Sequence, residues 1–387
     1  FPLKEGNSRD QSMDVVRNFK SLSFGQFCGL QILEFVYLMV LAFLPFLLAF
    51  KESVYLMLCI LAVVGTVAFV RFCSSQLVNT AGKVILITGC DSGFGNACAR
   101  QLVSQGFTVI AGCYNIGCDG ALALKEIVTD NLHIVKLDIT NEEDVQKVVM
   151  KIRNLNHDRG LWALVNNAGV GTFGDIELLS LDTYKDVLNV NLMGTLRVTK
   201  ACLPLIRAAK GRVVTVTGST GKLSLPGQSA LCISDFGLEA FNDALRLEMQ
   251  RFQVKVITIR PGNFLGATGM LNKSGLEKLR LHFDLVTQRA DQEILRAYGQ
   301  NYLNKQYNQL QKLSKQTAGS LISVVDAVEA AVKSRHPNTQ VLVDGGNQLI
   351  DIGNILVRLQ PFLPCFLHDF LVARLYRPNI GHTNNKT

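Results

Sequence analysis

Metal-ligand spacing is missing from this chain. Its ten cysteines never fall into a Cys-x-x-Cys pair and its six histidines are scattered, so no zinc-binding framework is expected and no metal site is assigned. The cysteines read as reduced, mostly buried small apolar side chains of a protein facing a reducing compartment. Runs of basic residues are missing too. With a net charge of +8 but no stretch of five Lys or Arg, the chain lacks the clustered surface that nucleic acid requires, and a mild preference for an anionic membrane or cofactor accounts for the excess. Only nine prolines occur among 387 residues and 48% of the chain is apolar, which excludes disordered and collagen-like polymers and allows one large domain plus extras. The first residue is Phe1 rather than Met, so a processed or incomplete N-terminus is expected.

What the sequence does hold begins with two uncharged runs, Phe35 to Phe50 and Ser53 to Val70, separated by Lys51 and Glu52. At about 16 and 18 residues each is just long enough to cross or deeply enter a hydrocarbon layer about 30 Å thick. A pair of buried core helices is the alternative, but a complete globular pattern follows that has no need of them. The expectation is an N-terminal tail over 1–23 and a transmembrane hairpin, or two closely joined spans, over 24–72. Lys4, Arg9, Arg17 and Lys20 before it and Arg71 and Lys83 after it favour both ends on the cytosolic side.

From Lys83 to about Val343 short apolar runs alternate with amphipathic stretches, as a parallel sheet wrapped by helices requires. The runs at 83–88, 107–113, 133–137, 162–167, 212–217, 254–259 and 340–343 read as strands, and Asn141 to Asn156 and Leu181 to Ala209 as helices. The fold class is therefore α/β, a doubly wound parallel sheet of Rossmann type. The tail from Leu349 to Tyr376 is unusually apolar, and either an interfacial segment lying on a bilayer or a helix closing a substrate pocket fits it.

Directly after the first apolar strand comes ITGCDSGFGNA, with Thr88, Gly89, Asp91, Gly93, Phe94 and Gly95. Glycine is needed there because a side chain would block the approach of backbone to a pyrophosphate, whose charge is met by N–H groups at the helix N-terminus. With this TGxxxGxG spacing, the Asn166-Asn167-Ala168-Gly169 turn, Asp138 in KLDIT, Asn191 in NVNLMGT and the Pro261-Gly262 pair, the chain resembles the short-chain dehydrogenase/reductase family over roughly residues 81 to 345. The runs GLWALVNNAG, CLPLIRAAKGRVV and RPGNF look like the branch that contains 3-hydroxybutyrate, retinol and 17β-hydroxysteroid dehydrogenases. The resemblance implies that the glycine loop, Asp138, Asn167, Ala168, Gly169, Pro261 and Gly262 hold a nicotinamide dinucleotide, and that Asn191 belongs to the active site. NAD is favoured over NADP, because no Arg or Lys stands in the glycine loop or in CYNIG (113–117) and Asp91 would repel a 2′-phosphate.

That family's chemistry rests on a Ser and, thirteen residues later, a Tyr-x-x-x-Lys. Here those positions read Gly218, Leu231 and Asp235. Leu231 has nothing to ionise, Gly218 has no hydroxyl, and Asp235 puts an anion where the mechanism wants a cation. A one-residue shift of the loop would bring the Ser219 hydroxyl to the empty place. Cys232 and Ser234 flank the position on a helix, where successive residues point about 100° apart, so neither is expected to enter the same space, and Tyr184 reads as a packing residue. Asp235 is either a solvated surface carboxylate or an acceptor for the nicotinamide ribose hydroxyls. Two functions follow as expectations: a membrane-anchored NAD(H)-binding protein with little or no turnover, or an active oxidoreductase of a steroid, retinoid or hydroxy-acid alcohol working with unusual residues. In the first case a lipid-like small-molecule substrate need not exist. The resemblance also implies a homodimer through the helices at 181–209 and 226–250, and either endoplasmic reticulum facing the cytosol or the mitochondrion as location.

Overall fold

A computed structural model describes residues 24–156, 159–299, 301–346 and 351–376. The expected tail over 1–23 lies outside them, as do 377–387. The chain divides into two units, Phe1–Cys73 and Ser74–Thr387.

In place of the expected hairpin, Phe24–Ser75 forms one continuous helix of 52 residues, about 78 Å long at about 1.5 Å per residue. Lys51 and Glu52 do not turn the chain, because both are good helix formers and no glycine, proline or asparagine stands beside them to make a turn. Pro45 is accommodated inside the helix. Ser53 and Thr66 bond back to the carbonyls of Ala49 and Ala62, at 2.9 and 2.7 Å, which hides two hydroxyls along an apolar surface. Gln31–Thr66 is long and apolar enough to cross a membrane, with a mean hydropathy of 2.4 and none of its most apolar stretch buried.

The second unit is built on seven parallel strands in the order β3-β2-β1-β4-β5-β6-β7. They are β1 (Val84–Thr88), β2 (Thr108–Cys113), β3 (Leu132–Lys136), β4 (Ala163–Asn166), β5 (Arg212–Val216), β6 (Lys255–Pro261) and β7 (Gln340–Val343). Each lies within two residues of its sequence-read run. Strand β1 is buried along its whole length, as a strand covered on both faces must be. Ile85 and Ile87 face one layer with Cys98, Leu102, Val324 and Val328, while Val84 and Leu86 face the other with Val145, Val149, Val198 and Leu245. Period-two alternation in the strand thus meets helical periodicity in Gly93–Ser104 and Ile322–Lys333 on one side and in Glu142–Asn156 and Thr195–Ala208 on the other.

The single long helix expected over 181–209 is broken into Leu181–Leu188, a π-helical stretch Asn189–Gly194 and Thr195–Ala208. A π-bulge of this kind is frequent at functional sites, and it carries Asn191. Among the eight cysteines whose side chains are described, none forms a disulfide and Cys90, Cys98, Cys113, Cys202 and Cys232 are buried. Burial pushes the Cys98, Cys113 and Cys202 thiols up to about 12, so they behave as small apolar side chains.

The apolar tail folds as two helices, Ile352–Leu359 and Cys365–Tyr376. Leu356 and Val372 pack on Leu223, and Leu375 and Tyr376 line a cavity of about 650 Å³ with Phe173, Gln228 and Tyr302. Phe362 and Phe366 on the same segment are 82% and 76% exposed.

Candidate dinucleotide and catalytic site

The glycine loop joins β1 to the Gly93–Ser104 helix and leaves no room for side chains. A Cβ at Gly95 would stand 2.2 Å from the Gly89 carbonyl oxygen and 2.6 Å from Asn167 Nδ2. Gly89 and Gly93 hold φ of +69° and +59°, a region glycine enters without penalty. Ser92 at the N-cap makes no side-chain bond to the first turn, so the N–H groups of that turn are left for an anion. A dinucleotide pyrophosphate fits this cradle. The Phe94 ring packs edge-on against Phe264, centroids 5.5 Å apart, tying the loop to the segment after β6.

Several residues expected to touch the cofactor also hold the frame. Thr88 Oγ1 accepts from the N–H groups of Asn167 and Ala168, both at 3.0 Å. Asn167 Nδ2 donates to the carbonyls of Thr88 and Gly89 at 3.0 and 3.1 Å. Asp91 accepts from the N–H groups of Tyr114 and Asn115 at 2.9 and 2.8 Å. Its carboxylate thus fixes the segment after β2, beside the place where an adenosine ribose would lie. Asp138 Oδ1 takes both the N–H and the hydroxyl of Thr140, at 2.8 and 2.7 Å. Pro261 pairs with Val343, and a Cβ at Gly262 would stand 2.1 Å from Asp351 Oδ2, so this glycine also admits the C-terminal segment. Gly169 lies beside Asn191, whose Oδ1 a Cβ there would approach to 3.4 Å.

Just beyond the carboxyl end of β5 Gly218 meets Asp235 of the Ser229–Met249 helix, and Asn191 reaches the same helix through Ser234. Leu231, 5% exposed, packs into a cluster with Phe173, Leu271 and Phe283, so the side chain at the position where the family resemblance expects a phenol is aliphatic and buried. Asn191 is fully engaged: its Oδ1 accepts from the Val170 N–H at 2.8 Å, and its Nδ2 donates to the Val170 carbonyl at 3.0 Å and to Ser234 Oγ at 3.2 Å. Tyr184 turns its hydroxyl to Ser229 at 2.5 Å. Tyr302 donates to Asp175, and burial followed by that carboxylate raises its phenol above the ordinary range, so it keeps its proton.

The hydroxyl that reaches the vacant serine place is that of Thr220, one residue beyond the expected Ser219. Its Oγ1 stands 2.8 Å from where a Cβ at Gly218 would be and donates to Asp235 Oδ2 at 2.5 Å. Asp235 is 8% exposed, which excludes the surface-carboxylate reading. Burial pushes its carboxyl up from an ordinary 3.8 to about 6, opposed by the Thr220 hydrogen bond and assisted by the charge of Glu239. One turn on, Glu239 is held by Arg260, with bonds of 2.7 and 2.5 Å to Nε and Nη2. Lys222 Nζ lies 3.6 Å from the same carboxylate. Sequence reasoning missed Thr220, Glu239 and Arg260. The one available signal was the four-residue spacing of Asp235 and Glu239, which puts both on one face of a helix.

The family model for short chain dehydrogenase matches residues 83–278. The mitochondrial D-beta-hydroxybutyrate dehydrogenase of Mus musculus is 40% identical over 274 residues, 70% of this chain and 79% of that protein. This chain belongs to the short-chain dehydrogenase/reductase family. Retinol dehydrogenase 16 of Mus musculus is 37% identical over 316 residues, covering 81% of this chain and 95% of that one. A short-chain dehydrogenase from Streptomyces avermitilis superposes with a TM-score of 0.56 at 24% identity, over 77% of this chain and 98% of its own, which shows the shared fold.

Within that family frame the buried carboxylate has a measurable cost. Because folding raises the Asp235 pKa, the penalty is absent below about 3.8, builds as pH rises and is complete above about 6. Asp235→Asn, which keeps an acceptor for Thr220, is expected to stabilise the domain by about 2–3 kcal/mol at pH 7.5 and to match the wild type at pH 4. Thermal unfolding at the two pH values checks this.

Proposed function

We propose that the protein is a membrane-anchored NAD(H)-binding member of the family with a degenerate catalytic site and little or no turnover. The observation that carries the reading is Leu231: a buried aliphatic side chain, packed among Phe173, Leu271 and Phe283, stands where proton transfer requires an ionisable hydroxyl. The intact cradle at Gly89, Gly93 and Gly95 supports dinucleotide binding, and Asp91 beside the adenosine half supports NAD over NADP. When bound, such a cofactor would accept or supply hydride. The chain's own residues would cradle the pyrophosphate and exclude water, with no phenol or ammonium to move the accompanying proton.

Anchoring is supported by the exposed apolar helix, and a lipid-like ligand by the cavity behind Leu375 and Tyr376, where Gln306 Oε1 is buried without a partner among the described residues. The steroid and retinol branch favours endoplasmic reticulum facing the cytosol; the 40% identical relative carries the word mitochondrial in its name and supports the alternative. Pairing of two copies through the helices at 181–209 and 226–250 belongs to the same proposal.

Calorimetric binding of NAD(H) without NADH formation from 3-hydroxybutyrate, retinol or a 17β-hydroxysteroid is the expected result. Rapid NADH formation from any of them would overturn it. The Thr220–Asp235 pair favours one second reading, an active oxidoreductase in which the alcohol proton passes through the Thr220 hydroxyl to Asp235 while hydride goes to NAD. Loss of turnover in Thr220→Val, with NAD binding retained, would select it.

A further inference from the structure

Cations gather at the amino ends of the strands, away from the glycine loop at the carboxyl end of β1. Lys83 immediately precedes β1, Arg212 opens β5 and Lys255 opens β6, and the register places Arg212 between Ala163 of β4 and Lys255. Trp162, immediately before β4, has Lys83 Nζ at 4.4 Å and Arg212 Cζ at 4.2 Å from its ring centroid. Lys255 Nζ donates to the Arg335 carbonyl. Three residues before Lys255, the Phe252 ring carries Arg207 and Arg251, each at 4.9 Å. Arg212 is 1% exposed; its Nη1 donates to the carbonyls of Ala331, Val332 and Ser334, each at 2.8 Å, and its Nε is buried without a partner among the described residues. Those carbonyls close the Ile322–Lys333 helix, and such a helix end offsets only about half a charge. None of these six cations forms an ion pair among the described residues. Burial and then Arg212 lower the Lys83 ammonium below its ordinary range, and burial followed by Arg212 and Arg335 does the same to Lys255.

The chain enters this unit beside the same cations. The Arg335 N–H donates to the Gln76 carbonyl at 2.7 Å and the Val78 N–H to the Lys333 carbonyl at 2.9 Å, with Leu77 bridged to Ser334. Gln76 follows directly on Ser75, the last residue of the apolar helix. Arg71, the first charge after the uncharged run, stands five residues before Gln76, about 8 Å of helix, which is one Debye length at physiological salt. We propose that this cationic end of the sheet docks on anionic phospholipid headgroups of the bilayer that holds the N-terminal helix. The proposal rests on the membrane-anchoring reading and adds the lipid class and the docking face. An anionic leaflet favours each Lys or Arg held near its surface about fivefold. A tether this short supplies a high effective concentration of that surface. Docking by the amino ends of the strands also leaves the crevice at their carboxyl ends open to a dissolved nucleotide.

Trp162 is the single tryptophan of the chain, so its fluorescence reports on this end of the sheet alone. The test places the full chain in nanodiscs of phosphatidylcholine containing a lipid with a nitroxide on its headgroup, with and without phosphatidylserine, and follows quenching of Trp162. Quenching is expected to rise about threefold with phosphatidylserine and to fall back in about 1 M NaCl, where the Debye length is about 3 Å. Lys83→Gln combined with Lys255→Gln and Arg335→Gln is expected to lose the rise, whereas Lys83→Arg combined with Lys255→Arg and Arg335→Lys keeps it. Wild-type quenching indifferent to phosphatidylserine, as for a face that binds an acidic protein, overturns the proposal. Equal quenching in the charge-removing and charge-keeping variants overturns it as well. If the glutamine variant does not fold, the salt dependence of the wild type decides the matter. Failure of the chain to stay in the discs would instead remove the anchoring reading beneath it.

Discussion

Combining Gly218→Ser, Leu231→Tyr and Asp235→Lys is expected to raise the rate of NADH formation by about 10³ on the most readily oxidised of 3-hydroxybutyrate, retinol and a 17β-hydroxysteroid. General acid–base assistance is worth about 10² to 10⁴ and one oxyanion-type donor about 10² to 10³, and the terms do not add because the groups act as a unit. Single replacements are expected to do little. Leu231→Tyr alone leaves a phenol with a carboxylate for a neighbour, which raises its pKa instead of lowering it. Gly218→Ser alone brings a Cβ within 2.8 Å of Thr220 Oγ1 and 3.0 Å of Asp235 Oδ2, contacts that relax when Asp235 is also replaced. A folded triple variant that binds NAD⁺ and is no faster than the wild type would show that the three positions are not what limits turnover.

The largest loss of stability is expected from Glu239→Gln. Arg260 and Glu239 keep only 7% and 5% of their side chains in solvent, and taking away one charge strands the other. Breaking a buried pair in this way costs about 3–5 kcal/mol, whereas replacing both partners by apolar groups of similar volume is often neutral. Thermal unfolding should therefore show a large drop for Glu239→Gln and recovery of most of it in Glu239→Leu combined with Arg260→Met. If the single variant unfolds with the wild type, the pair is solvated in solution.

The architecture was legible because its signals are local. The seven strands announce themselves as short apolar runs, and the glycine loop, the Asn166-Asn167 turn and Pro261-Gly262 sit where strands end. At the N-terminus two charged residues between apolar runs resemble a turn, yet Lys51 and Glu52 propagate a helix as well as most residues do, and the helix runs through them. In the catalytic region the absence of phenol and ammonium could be read directly from Leu231 and Asp235. What replaced them could not. The approach of Thr220 to Gly218 depends on a three-residue 3₁₀ turn, Ser219–Gly221, and the capture of Glu239 by Arg260 joins residues from a helix and a strand. The first depends on local backbone geometry and the second joins residues 21 apart in the chain. Exposure was equally invisible: a helical Asp is most often solvated, and only the packed structure shows Asp235 to be buried.

The bonds from Asn167 and Ala168 to Thr88 and Gly89 lock the turns after β1 and β4 to each other with no ligand's help. Little ordering entropy is then left to be lost when a nucleotide arrives. Association at this end of the crevice should accordingly proceed as docking into a finished mould, with the encounter rate set by diffusion and orientation and not by loop closure.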